Sequence, residues 1–344
     1  MALTLANISY TGRWSFASTA PTFSWASTQF SVRTTATELS GKFTSPDGGM
    51  RLGVLVNGSE HAVHRLKAGE RTVRLASNLT GTSTVSVWKL TEDLAQHGGT
   101  GVATLHGLLS DGALSAPPRP SRRLEFVGDS DTAGYCADGT DGGSSEETTT
   151  EDSRQTWAAQ LSARLGAEMM AEAISGFGVT SVSTPIQPNV VRTHPFLAGE
   201  HWDFRSWTPH GIIFLIGPND VSSDDDDGGG GGRFVDGYLQ LLEVYVRAYA
   251  HLAVKPKTIH VCGGSGNGLD ACAKTRKALA KFNADHAGDG WVANYTTITD
   301  EHWEKINKKG GDFLGCDEHY NRKGHRVLME DVVDDVRRFL GWEK

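Results

Sequence analysis

At 344 residues, 38% hydrophobic and 22% charged, the chain has the composition of a folded globular protein, and its length favours two domains over one. A formal net charge of −8 argues against nucleic acid or an anionic membrane as the main partner. No run approaches the ~20 consecutive apolar residues that span a bilayer. The first residues, Met1–Asn7, lack a basic segment and a long apolar one, so the protein is expected to be intracellular, or secreted after loss of a leader.

Residues 1 to about 115 read as all-β. Gln29–Thr34 alternates apolar and polar side chains with period two, as a half-buried strand does. Met50–Val56 runs into Asn57-Gly58, a pair that accepts positive φ and marks a hairpin, and His61–Leu66 is the returning strand. Arg71–Leu75 and Ser83–Leu90 repeat the alternation. Many short strands of this kind predict a jelly-roll sandwich. Ala116–Pro120 holds three prolines and reads as a linker, giving a sandwich over 1–117 and a second domain over 118–344.

Beyond the linker the period changes. Strands are predicted at Leu124–Val127, Glu168–Ile174, Gly211–Ile216, Thr258–Cys262 and Trp291–Thr296. Helices are predicted at Thr156–Leu165, Phe234–Leu252, Ala271–Asp285 and His325–Leu340. Such alternation implies an α/β domain with a mainly parallel sheet covered on both faces. Two acidic, glycine-rich stretches, Asp138–Asp152 and Ser222–Gly232, interrupt it. The aspartates of the second lack EF-hand spacing, and a solvated loop is expected there.

Four segments fall at the ends of predicted strands or just before the last helix, where an open α/β sheet assembles its site. Gly128-Asp129-Ser130 offers a hydroxyl, Ser175-Gly176 a bare backbone N–H, Gly217-Pro218-Asn219-Asp220 a side-chain amide, and Asp317-Glu318-His319 an imidazole. Taken singly, each has an ordinary structural role: a surface turn, a turn glycine, a helix cap, a loop histidine. In this order they amount to a nucleophile, two oxyanion donors and a base. Cys136, Cys262, Cys272 and Cys316 are too few for a disulfide framework and match no zinc spacing. Cys262 and Cys272 flank a glycine-rich loop and are either bridged or free.

These four blocks resemble those of the SGNH (GDSL-type) hydrolases. With Gly12-Arg13-Trp14, Lys89-Leu90-Thr91-Glu92 and Gly315-Cys316-Asp317-Glu318-His319, the chain is similar over nearly its whole length to carbohydrate esterase family 2. The resemblance implies a jelly roll followed by a three-layer α/β/α hydrolase domain. It also implies a serine esterase that removes acetyl groups from carbohydrates such as xylan or glucomannan, without metal or cofactor. Ser130 would be the nucleophile and His319 the base, and the oxyanion would rest on Ser130, Gly176 and Asn219. SGNH enzymes usually place an aspartate three residues before the histidine, where this chain has Cys316. Asp317 lies two residues before His319, and two side chains so spaced point the same way in an extended segment. The imidazole is therefore oriented by the Asp317 carboxylate or by a backbone carbonyl. Trp303 and Tyr320 are candidates to stack on a sugar ring. The alternatives are a general short-chain esterase, lipase or thioesterase, and, outside enzymes, a catalytically silent carbohydrate-binding protein.

Overall fold

The computed structural model describes residues 3–45, 48–93, 101–180, 184–221, 232–266 and 268–342. The second acidic stretch, Ser222–Gly232, lies outside them apart from Gly232.

Alternating side chains in the first third build two antiparallel sheets. One runs Ser9–Thr11 (β1), Gln29–Thr34 (β4), Ser83–Lys89 (β9), Arg51–Val56 (β6), Ser59–Arg65 (β7), with Leu114–Ser115 (β11) also on β4. The other runs Trp14–Ser15 (β2), Thr22–Phe23 (β3), Ala103–Ser110 (β10), Glu38–Ser45 (β5), Gly69–Ser77 (β8). Phe30, Val32, Leu39, Phe43, Val54 and Val85 meet between them as a closed core. Asn57 and Gly58 both take positive φ, 52° and 82°, so the predicted hairpin turn is of type I′.

The second domain is a parallel sheet in the order Ala167–Ala173 (β13), Arg122–Gly128 (β12), Gly211–Leu215 (β16), Lys257–Cys262 (β17), Ala293–Thr297 (β18). A short ladder joins Phe177–Gly178 (β14) to Thr184–Pro185 (β15). Ser130–Ala133 (α1) follows β12, and Glu147–Thr150 (α2) lies in the first acidic stretch. The covering helices are Trp157–Leu165 (α3), Gly232–Ala248 (α4), Cys272–Asp285 (α5) and Arg322–Leu340 (α7), with Asp300–Ile306 (α6) between the last two. Tyr238, Leu241 and Phe282 bury one face of the sheet, and Trp157, Leu161, Leu328 and Val332 the other. Sequence signals place the helix ends: Thr156 caps α3 and Asn321 caps α7, and Gly166 and Gly341 close them in left-handed backbone. The stretch Asp138–Asp152 is partly packed into the protein. Glu151 and Asp152 are fully buried, and Asp152 pairs with Arg154.

β12 is first in sequence but second in space. The chain leaves it for β13 on one side and crosses to β16 on the other. The crevice beyond the carboxyl ends of β12 and β16 is therefore the topological switch point, where such sheets bind ligands. The sandwich is pinned to this sheet by Arg13, fully buried. Its guanidinium pairs with Glu125 at 3.1 Å and Glu172 at 2.8 Å and donates to Val190 O and Arg192 O. Burial pushes both carboxyl groups up, Glu172 well above the usual range, against the opposing pull of the Arg13 charge.

Candidate active site

β12 ends on Gly128, and only glycine fits there. A Cβ would meet Thr132 Oγ1 and lie 2.7 Å from Leu215 O. The chain then turns into α1, whose first residue is Ser130. Asp129 caps the helix, its side chain accepting from Asp131 N–H at 3.2 Å. Burial first, and then the charge of Asp131, hold the Asp129 carboxyl well above the usual carboxylate range. Asp131 in turn accepts from Ser265 N–H at 2.6 Å, which ties the loop after β17 to the nucleophile turn. Ser130 is left 6% exposed at the strand's carboxyl end.

His319 reaches it from the other end of the chain. Its Nε2 stands 2.7 Å from Ser130 Oγ, and its Nδ1 stands 2.7 Å from Asp317 O. A backbone carbonyl can only accept, so Nδ1 carries the proton and Nε2 presents its lone pair to the serine hydroxyl. This decides between the two orienting groups left open by the sequence. The Asp317 carboxylate is not on the imidazole. The segment is not extended: Asp317 and Glu318 have φ of 53° and 61°, which turns the Asp317 side chain outward, where Oδ2 accepts from Tyr135 OH at 3.3 Å. His319 N–H closes the turn on Cys316 O, and Gly315 N–H bonds His319 O. Cys316 is joined to Cys136, just beyond α1, and Cys262 to Cys272.

Asn219 follows β16 in a single turn of 3₁₀ helix and does not cap it. Its Nδ2 donates one hydrogen to Phe177 O at 2.8 Å, leaving the second for the site, and Asp220 accepts from Val179 and Thr180 N–H. Gly176 lies exposed in the turn between β13 and β14 with φ of 77°. Ser130, Asn219 and His319 line one cavity of about 180 Å³, closed by Ser265, Gly266 and Glu318. Among the described residues that line the cavity, His319 is the one basic side chain.

Tyr320 does not line it. Its side chain is fully buried in the core, with its hydroxyl between Gly263 O and Asn307 Nδ2, so no sugar can reach the ring. The Tyr side chain follows the histidine inward because Leu314 and Tyr320 pair across the base of the loop. Trp303 packs against the same core with its Nε1–H on Gly264 O, outside the residues that line the cavity. Sequence reasoning missed Tyr135, whose ring stands edge-on to His319 at 4.8 Å; its place one residue past Gly134 carried no signal. Among the described residues no group of three or more His, Cys, Asp or Glu is arranged to hold a metal ion, and no helix is long and apolar enough to cross a membrane.

The GDSL-like lipase/acylhydrolase family model matches residues 126–327. The chain belongs to this family. The model of the carbohydrate esterase 2 N-terminal domain matches residues 10–118, so the hydrolase's sandwich has a family of its own. The chain is 28% identical over 352 residues to the cellulase/esterase CelE of Acetivibrio thermocellus, covering 97% of this chain and 40% of that one. It thus spans about two fifths of that relative's length. Among solved structures, a family two carbohydrate esterase from Clostridium thermocellum, in complex with cellohexaose, matches with a TM-score of 0.83 and 26% identity over 98% of this chain and 100% of the other. An acetyl xylan esterase from Butyrivibrio proteoclasticus shares the fold, with a TM-score of 0.80 and 20% identity over 99% and 98%.

Proposed function

We propose that this hydrolase is a serine esterase that removes acetyl groups from carbohydrate hydroxyls. The observation that carries the reading is the line Asp317 O, His319, Ser130, with both contacts at 2.7 Å and the proton on Nδ1. Ser130 Oγ attacks the ester carbonyl while His319 Nε2 takes its proton. The carbonyl oxygen becomes an oxyanion held by the backbone N–H groups of Ser130 and Gly176 and by Asn219 Nδ2. Losing one such donor costs roughly 3–4 kcal/mol of transition-state stabilisation. His319 then gives its proton to the departing sugar hydroxyl. Water, deprotonated by the same imidazole, clears the acetyl-serine and regenerates Ser130.

A space of about 180 Å³ is well below the roughly 300–1,000 Å³ of drug-sized ligand sites, which supports a short acyl group. The carbohydrate half of the reading rests on the likeness to family two esterases over both domains. Acetate release from acetylated xylan and glucomannan, compared between the parent and Ser130→Ala, tests it. Release that disappears in the variant is the expected result. Turnover of p-nitrophenyl acetate without release from either glycan would move the substrate to a general short-chain ester. No turnover of any ester by the folded parent would leave a carbohydrate-binding protein.

A further inference from the structure

The turn that presents Gly176 is held from the other domain. Residues Ile174, Ser175, Gly176 and Phe177 close with Phe177 N–H on Ile174 O at 3.2 Å. Gly176 has φ of 77°, and Ser175 is absent from the residues of positive φ. These are the marks of a type II turn, in which glycine is favoured third and the central peptide is turned over relative to type I. That central peptide carries the Gly176 N–H. Its direction is thus a property of the turn type, and a flip of one peptide would place the Ser175 carbonyl where the N–H stands.

The neighbouring peptide is anchored by Glu92, which follows β9 of the sandwich. Its Oε2 accepts from Ser175 N–H at 2.8 Å, and the residue is 1% exposed. Glu92 is itself fixed. Its N–H donates to Glu151 Oε1 at 2.7 Å, and its carbonyl accepts from buried Lys89 Nζ at 2.7 Å. A hydrogen bond to a carboxylate is roughly twice as strong as a neutral one, so this is a firm anchor on a turn of only four residues. On the far side of the turn Asn219 holds Phe177 O.

We propose that Glu92 is a positioning residue for ester hydrolysis: the sandwich holds the Ser175 peptide so that the turn aims Gly176 N–H at the developing oxyanion. The proposal rests on the serine-esterase reading of the site. It makes the sandwich a part of the active site even though, among the described residues, none of the sandwich lines the cavity around Ser130.

The test is steady-state hydrolysis of p-nitrophenyl acetate by full-length variants. Glu92→Met fills the volume without an acceptor, and its kcat is expected to fall about 10- to 100-fold with KM within about twofold. Glu92→Gln keeps an acceptor oxygen and is expected to recover most of the loss. Adding Ser175→Pro to Glu92→Met puts proline second in the turn, where it is favoured, and removes the N–H that lost its partner. The double variant is expected to be faster than Glu92→Met. Parental kcat in folded Glu92→Met, or a double variant no faster than it, would overturn the proposal. Glu92→Asp, which draws the carboxylate back by one methylene, stands in if Glu92→Met does not fold: a lower kcat is expected, and an unchanged one overturns the proposal. Parental turnover in Ser130→Ala would instead overturn the underlying esterase reading. Loss there, with full turnover in Glu92→Met, would overturn the role of Glu92 alone.

Discussion

A histidine acting as a base needs an acceptor on one nitrogen and the nucleophile's hydroxyl on the other. Here the acceptor is a peptide carbonyl, whose partial charge is weaker than a carboxylate's but whose position is set by the backbone. The Asp317 side chain is therefore dispensable for orienting the imidazole. Asp317→Asn is expected to keep kcat for an aryl acetate within about threefold, whereas the same change costs about 10⁴-fold where a carboxylate orients the imidazole. Asn also tolerates the left-handed backbone at this position, so the loop is preserved. A loss approaching that of His319→Ala would return the carboxylate to the mechanism. Tyr135 stands edge-on to the imidazole and donates to Asp317 Oδ2.

At the scale of elements, the proposed site is three loop ends at one end of a parallel sheet, and the fourth loop is tied to the Ser130 turn covalently. The His319 loop is separated from the Ser130 turn by most of the domain in sequence, and the Cys136–Cys316 bridge joins them across 180 residues. The bridge anchors the histidine loop three residues before His319. Closing so long a loop stabilises the fold by up to about 5 kcal/mol in the chain-entropy account. Cys316→Ala is expected to lower the melting temperature and to lower kcat by at least about tenfold, because the loop that aims His319 loosens. Thiol titration of the denatured, unreduced parent should find no free thiol among its four cysteines. A Cys316→Ala variant with parental kcat would separate the bridge from catalysis.

At the scale of the whole molecule, two buried imidazoles make stability sensitive to acid. Burial lowers His260 to about 3 and His325 to about 4, from an ordinary 6.5. His325 is fully buried behind the site, edge-on to Tyr320, and feels Asp131 and His319. A folded pKa below the unfolded one contributes stability that is complete above pH 6.5 and is lost as pH falls towards 4. Buried carboxyls such as Glu172 and Asp129 are shifted upward and work in the opposite direction, so a difference between proteins is cleaner than one curve. The stability of His325→Phe relative to the parent is expected to rise by about 2 kcal/mol between pH 7 and pH 5. Denaturant unfolding at the two pH values checks it. Parallel pH profiles would mean that His325 takes up its proton in the folded state.

The sequence by itself determined the periodic and local features. Side-chain alternation in β4 and β9, the Asn57-Gly58 turn and the strand–helix alternation after Pro120 are written along the chain, because backbone conformation responds to neighbours a few residues away. The four candidate segments stood out for the same reason, since each falls at an element's end; Ser130, Asn219 and His319 of three of them line one cavity. Tertiary structure decided what depends on residues far apart. Two consecutive left-handed residues turned the Asp317 carboxylate away and its carbonyl inward, against the extended geometry expected from spacing. Packing drew Tyr320 into the core, although an aromatic residue beside a catalytic segment gives no sign of which way it points. The Cys136–Cys316 pairing and the contact from Glu92 to Ser175 join segments 180 and 83 residues apart. Such contacts are selected by closure of the whole chain around its cores, and no local pattern announces them.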